Sequence, residues 1–184
     1  REASNWPGEL YVSVNVSPVQ LHKTDMLRQV TRALAEHGLT AQRLELELTE
    51  TAMVDDGRRI NATLTALRSL GVRIAMDDFG TGYSSLAHLR EFDLDRIKID
   101  RSFVQDLAGE GNAHAVIRAI TTLAEALGMD TLAEGVELPE QMEILRREGC
   151  QYIQGYLLSE PLPMTGVTEL FREMAHDKKR RAIA

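Results

Sequence analysis

Leu44-Glu45-Leu46-Glu47-Leu48-Thr49 alternates strictly between apolar and polar side chains. That period of two is the signature of a β-strand with one apolar and one polar face. The pattern recurs at Val12-Ser13-Val14-Asn15-Val16-Ser17 and at Arg96-Ile97-Lys98-Ile99-Asp100. Working outward, strands are expected at Leu10 to Ser17, Arg43 to Thr49, Val72 to Asp78, Asp95 to Asp100, Thr131 to Val136 and Tyr152 to Gln154. Helical spacing separates them. Leu27, Val30 and Leu34 form one stripe, Ile60, Leu64 and Leu67 a second, and Val116, Ile120, Leu123 and Leu127 a third. Glycine followed by an apolar residue closes these stripes at Gly38-Leu39, Gly71-Val72 and Gly128-Met129 and recurs at Gly149-Cys150, the pattern of a left-handed helix cap. Pro139 suits a first helical position.

Repeated strand–helix units give parallel strands with right-handed crossovers. An open doubly wound sheet and a (β/α)8 barrel compete for this pattern. The open sheet buries both faces of each strand, so both should read as apolar. Here one face is polar, as the interior of a barrel is near its mouth. The barrel is the expected fold, as a single domain over residues 1–184.

Bulk properties narrow the functions. A chain of 184 residues, 43% hydrophobic and 27% charged, supports one sizeable core. Its formal net charge of −7 argues against bulk nucleic-acid or anionic-membrane binding. A polyanionic substrate would have to be met locally, by metal ions or a few cationic side chains. The lone Cys150 forms no internal disulfide, which favours a cytoplasmic setting. No apolar run of about 18 residues suggests a membrane span, and Arg1 to Leu10 does not resemble a signal peptide. The five histidines lack metal-ligand spacing, and the seven methionines read as packing.

Each strand carries a candidate group at or near its carboxyl end: Asn15, Glu47, the pair Asp77-Asp78, Lys98, Glu134 and Gln154. In a barrel these ends converge on one face. Neighbouring aspartates on a regular strand point to opposite faces, so the pair needs a turn in the backbone to serve one site. Four carboxylates brought together repel one another unless cations lie between them. An oxygen-rich set of this kind suits Mg²⁺ or Mn²⁺, and a carboxylate bridging two metals is the arrangement for attack on phosphate esters.

Val14-Asn15-Val16-Ser17, Glu47-Leu48-Thr49-Glu50, the run Asp77 to Ser85, Lys98-Ile99-Asp100, Glu134-Gly135-Val136-Glu137 and Gln154-Gly155-Tyr156 together resemble the EAL-domain family of cyclic di-GMP phosphodiesterases. The resemblance covers nearly the whole chain. It implies a TIM-type barrel that hydrolyses cyclic di-GMP to linear pGpG with two Mg²⁺ or Mn²⁺ ions per site. It implies Asn15, Glu47 and Asp77 as metal ligands, with Asp78 and Glu134 serving the second metal. Lys98 resembles the cation that orients water or phosphate, and Glu134 is the preferred general base. Gln154, Asp100 and Pro161 are implied on the substrate side. Glu50, Gly80, Thr81 and Gly82 resemble the elements that anchor the loop after Asp78. A homodimer, fusion to other signalling domains and no direct membrane contact are further implications.

The family's Glu-Ala-Leu at the end of the first barrel strand has no counterpart at the start of this chain. An incomplete barrel is therefore expected, lacking the first strand–helix unit, with impaired metal and nucleotide binding and an unpaired edge at Leu10 to Ser17. The competing function is a catalytically inactive module that binds cyclic di-GMP or a protein partner.

Overall fold

The computed structural model describes residues 1–6, 10–23, 25–50, 52, 57–80, 89, 91–109 and 111–171. Six parallel strands lie in the order of the sequence: β1 (Val12–Val16), β2 (Leu44–Thr49), β3 (Arg73–Phe79), β4 (Arg96–Ile99), β5 (Asp130–Ala133) and β6 (Tyr152–Ile153). Among the described residues the helices between and beside the strands include α1 (Pro18–Lys23), α2 (Met26–His37), α3 (Gly57–Ser69), α4 (Arg101–Gln105), α5 (Ala113–Leu127) and α6 (Pro139–Arg147). A last helical stretch occupies 164–171. This is the succession of a (β/α)8 barrel, six strands of which are seen among the described residues.

All six expected strands are present, with ends moved by a few residues. The apolar alternates of β2 to β4 face the helices. Leu46, Leu48, Ile74, Met76, Ile97 and Ile99 are buried there with Ile60, Leu64, Leu67 and Ile117. The polar alternates are also buried. Glu45, Glu47, Arg96 and Lys98 line the concave interior, each at most 7% exposed. A polar interior of paired charges is what separates this arc from an open sheet with two apolar faces.

Helix ends follow the sequence signals. The amides of Leu39, Val72, Met129 and Cys150 each bond the carbonyl five residues back, at 2.9–3.2 Å, closing the glycine-capped turns as Schellman motifs. One expectation needs correction. Helix α5 buries Ala113, Ile117, Ile120, Thr121 and Ala124, whereas Val116 and Leu123 only flank the core and Leu127 is exposed. The small alanines let the helix sit close to β4 and β5, and closeness outweighs side-chain size in choosing the buried face.

Strand β3 leaves room in the interior. Ala75, fully buried, stands in register between Glu47 on β2 and Arg96 on β4. Side chains from β2 and β4 meet over this gap. The sheet edges are β1 and β6, each paired on one side only among the described residues. The amino-terminal turn reaches the last helix, where the rings of Trp6 and Phe171 meet edge to face at 5.3 Å. Arg43 ties that turn down through the carbonyls of Ala3, Trp6 and Leu10.

Candidate metal centre

The pairing of β3 with β4 explains how both aspartates reach one site. Met76 pairs with Ile97 and Phe79 with Ile99, so Asp77 and Asp78 together oppose Lys98. This is a β-bulge, one extra residue on one strand. Asp78 takes the left-handed conformation there, with φ 55°. Its amide donates to Asp77 Oδ1 at 3.1 Å. The turn falls inside the strand, which runs on to Phe79, and not at the strand end expected from the sequence.

Lys98 is the hub. Its Nζ lies 2.7 Å from Glu134 Oε1, 2.8 Å from Glu47 Oε2 and 2.9 Å from Asp77 Oδ1. Burial pushes the ammonium pKa down, but the hydrogen bonds it donates to Glu134, Glu47 and Asp77 outweigh it and hold the pKa up. Burial raises the Glu134 carboxyl, with Lys98 opposing and Asp77 and Glu47 adding to the rise. Asp78 is raised by burial first and then by the neighbouring charges of Asp77 and Asp100. Oxygens of Asp77, Asp78 and Glu134 all lie within 4.8 Å of one another. Three carboxylates thus share one ammonium with Asp78 beside them, and cations of higher charge fit this donor set.

One layer below, the charges balance. Arg96 Nη1 lies 3.0 Å from Glu45 Oε1, and Arg73 Nη2 lies 2.9 Å from Asp130 Oδ2. Ser13 donates to Glu45 at 2.9 Å. Two cations meet two anions in this floor, so the negative surplus belongs to the layer above.

The other expected site residues fall around this centre. Asn15 stands in register with Glu47 on the edge strand and is exposed. Gln154, after β6, borders a cleft of about 260 Å³ with Glu134, Gly135, Glu137, Gly155, Arg101, Gln105 and Tyr156. Glu137 closes the Glu134 to Glu137 motif, whereas Arg101 and Gln105 carry no sequence signal that places them in this cleft. The short helix α4 folds its residues back beside Glu134, and only the three-dimensional turn reveals it. Asp100 caps that helix, its Oδ1 accepting from the Ser102 amide at 3.0 Å and hydroxyl at 2.5 Å. Burial opposes its ionised form, but these bonds prevail and hold its carboxyl below the usual range. Pro161 is exposed between β6 and the last helix. Glu50 is buried just after β2. Gly80 holds φ at +96°, a conformation that favours glycine, and a Cβ there would lie 2.8 Å from the Phe103 ring and force that ring to shift. Thr81 and Gly82 lie outside the described residues.

A parallel arc with an acidic layer at its strand ends defines a TIM-barrel-type protein with a mouth suited to cations. The EAL domain family profile matches residues 1–161, and the chain belongs to that family. Among curated relatives, cyclic di-GMP phosphodiesterase NbdA of Pseudomonas aeruginosa is 42% identical over 168 residues, 91% of this chain and 22% of that protein. The chain spans about a fifth of the length of the curated relatives it matches. Among solved structures, the EAL domain of Mycobacterium smegmatis DcpA is 38% identical with a TM-score of 0.87, covering 93% of this chain and 77% of that one. The manganese and cyclic di-GMP complex of Klebsiella pneumoniae BlrP1 is 34% identical with a TM-score of 0.80, covering 87% and 41%. Glu-Ala-Leu does occur in this chain, as Glu125-Ala126-Leu127. It forms the last turn of α5 and no strand end, so it is not the family's strand-end motif. No helix among the described residues is long and apolar enough to cross a membrane.

Proposed function

We propose that this chain carries the catalytic layer of a metal-dependent phosphodiesterase that opens one phosphodiester of cyclic di-GMP to give linear pGpG. The observation that carries the reading is the cluster of Glu47, Asp77 and Glu134 on the ammonium of Lys98, with Asp78 beside Asp77 and Glu134. Asn15, Glu47 and Asp77 would hold one divalent cation, and Asp77, Asp78 and Glu134 a second, as Mg²⁺ or Mn²⁺. When bound, such cations lower the pKa of a water and neutralise charge on phosphate. Glu134, with its raised pKa, takes the proton of the attacking water. Lys98 orients the water or the scissile phosphate, and Gln154 supports the substrate side. Residues 1–184 form a single EAL-type domain without its amino-terminal portion, acting in the cytoplasm as a homodimer within a larger signalling protein.

The 184 residues alone are expected to be impaired. Losing only an outer partner of a metal ligand costs about 10–100-fold in affinity or activity, and the family resemblance implies that the strand-end glutamate is a ligand itself. The test is pGpG formation with Mn²⁺ by this chain and by one extended toward its amino terminus. The extended protein should turn over cyclic di-GMP, its Glu134→Gln variant should not, and the shorter chain should be at least ~10-fold slower. Binding of cyclic di-GMP by the extended protein without hydrolysis would instead establish a non-catalytic binding module.

A further inference from the structure

Arg96 is fully buried in the middle of the arc, on β4. Its guanidinium carbon lies 4.5 Å from the ring centroid of Tyr152 and 5.3 Å from that of Tyr11, whose hydroxyl also accepts from Nη1. Tyr152 belongs to β6 and Tyr11 immediately precedes β1. One central side chain therefore touches residues from both edges of the sheet. These edge strands have no strand partner on their outer sides among the described residues.

Mere filling does not account for an arginine at this position. An apolar side chain of similar volume occupies an interior at less cost than a buried ion pair. Arg96 keeps its Nε without a hydrogen bond, and its partner Glu45 likewise keeps Oε2 without one. What a guanidinium adds is a flat cation attracted to aromatic faces on two sides while its fork engages carboxylates. Here the fork reaches Glu45 at 3.0 Å and Asp130 at 3.5 Å. Lys98 follows Arg96 by two residues on the same strand face, and Glu47 follows Glu45 in the same way. The lower layer and the carboxylate layer above it are thus carried on the same two strands, β2 and β4.

We propose that Arg96 is a positioning residue, a clasp between Tyr11 and Tyr152 that fixes the separation of the two edge strands and with it the spacing of the metal-binding carboxylates. The effect on metal rests on the reading under Proposed function, whereas the effect on edge separation does not.

The test places nitroxide labels at Val19 and Leu158, exposed positions flanking the two edges, in a Cys150→Ser background. Pulsed electron spin resonance then reads the distance between them. Tyr152→Phe keeps the ring and should retain the parent distance distribution. Tyr152→Leu and Arg96→Met should give longer, broader distributions, and their Mn²⁺ dissociation constants should rise about 10-fold or more. Tyr152 is partly exposed, so its variants keep the proposal testable should Arg96→Met fail to fold. An unchanged distribution in Tyr152→Leu overturns the clasp, whatever happens to Mn²⁺ binding. A lengthened distribution with no Mn²⁺ binding even in the amino-terminally extended protein supports the clasp and removes the metal reading.

Discussion

At the scale of the residue, Lys98 holds together charges that would otherwise repel. Removing one partner of a buried ion pair typically costs about 3–5 kcal/mol. Lys98→Met should therefore lower stability by about that amount in metal-free protein, measured by chemical denaturation. Mn²⁺ should restore part of the loss, because a divalent cation can take over the neutralising role. Titration offers a second check. Glu134 and Asp78 have raised pKa values in the fold, so the native state binds protons more readily than the unfolded chain. Stability then falls as pH rises through their folded values, and acidification toward the usual carboxylate range of about 4 relieves the penalty. Melting temperature of the metal-free protein should accordingly rise on mild acidification. Below that range Asp100 and Glu148, whose pKa values are lowered, lose their contributions and the trend reverses. Saturating Mn²⁺ should flatten the rising limb.

At the scale of the element, the alternation of β1, β2 and β4 was legible because period two is written in consecutive residues. The bulge in β3 was not, because it is defined by the register of β4, some twenty residues further on. The same limit hid the floor layer. Arg96 meets Tyr11 and Tyr152 only after the chain has curled, and no local spacing announces those pairs. Residue type showed which strand ends bear functional groups, while the side chain each group contacts came from the fold. Asp100 illustrates the difference, since a cap at the start of α4 takes one of its oxygens. The turn after β6 gives a sharp prediction. A Cβ on Gly155 would lie 2.2 Å from the Val136 carbonyl oxygen and 2.3 Å from its amide nitrogen. Backbone cannot yield as a flexible side chain does, so Gly155→Ala should cost at least about 3 kcal/mol in urea denaturation.

At the scale of the whole molecule, the described residues form an arc whose outer strands β1 and β6 each have one strand partner, where a closed barrel gives every strand two. Val14 on β1 is 44% exposed, and Tyr152, Tyr156, Leu158 and Leu162 are exposed on and beyond β6. Unpaired backbone beside apolar side chains invites pairing with other chains. The 184-residue protein should self-associate with rising concentration in sedimentation velocity, and Val14→Lys should shift it toward monomer. The long-range balance of the interior depends on Ala75. Strands β2 and β4 stand two strand spacings apart, roughly 9.6 Å, and the ion pairs Glu47–Lys98 and Glu45–Arg96 cross that distance. A leucine in place of Ala75 would come between Glu47 and Lys98 and between Glu45 and Arg96, breaking the ion pairs that join β2 to β4 and leaving Lys98 to Glu134 and Arg96 to Asp130. The working unit of this barrel therefore includes an omission: a few absent carbon atoms on one strand keep acids and bases from different strands within a single electrostatic system.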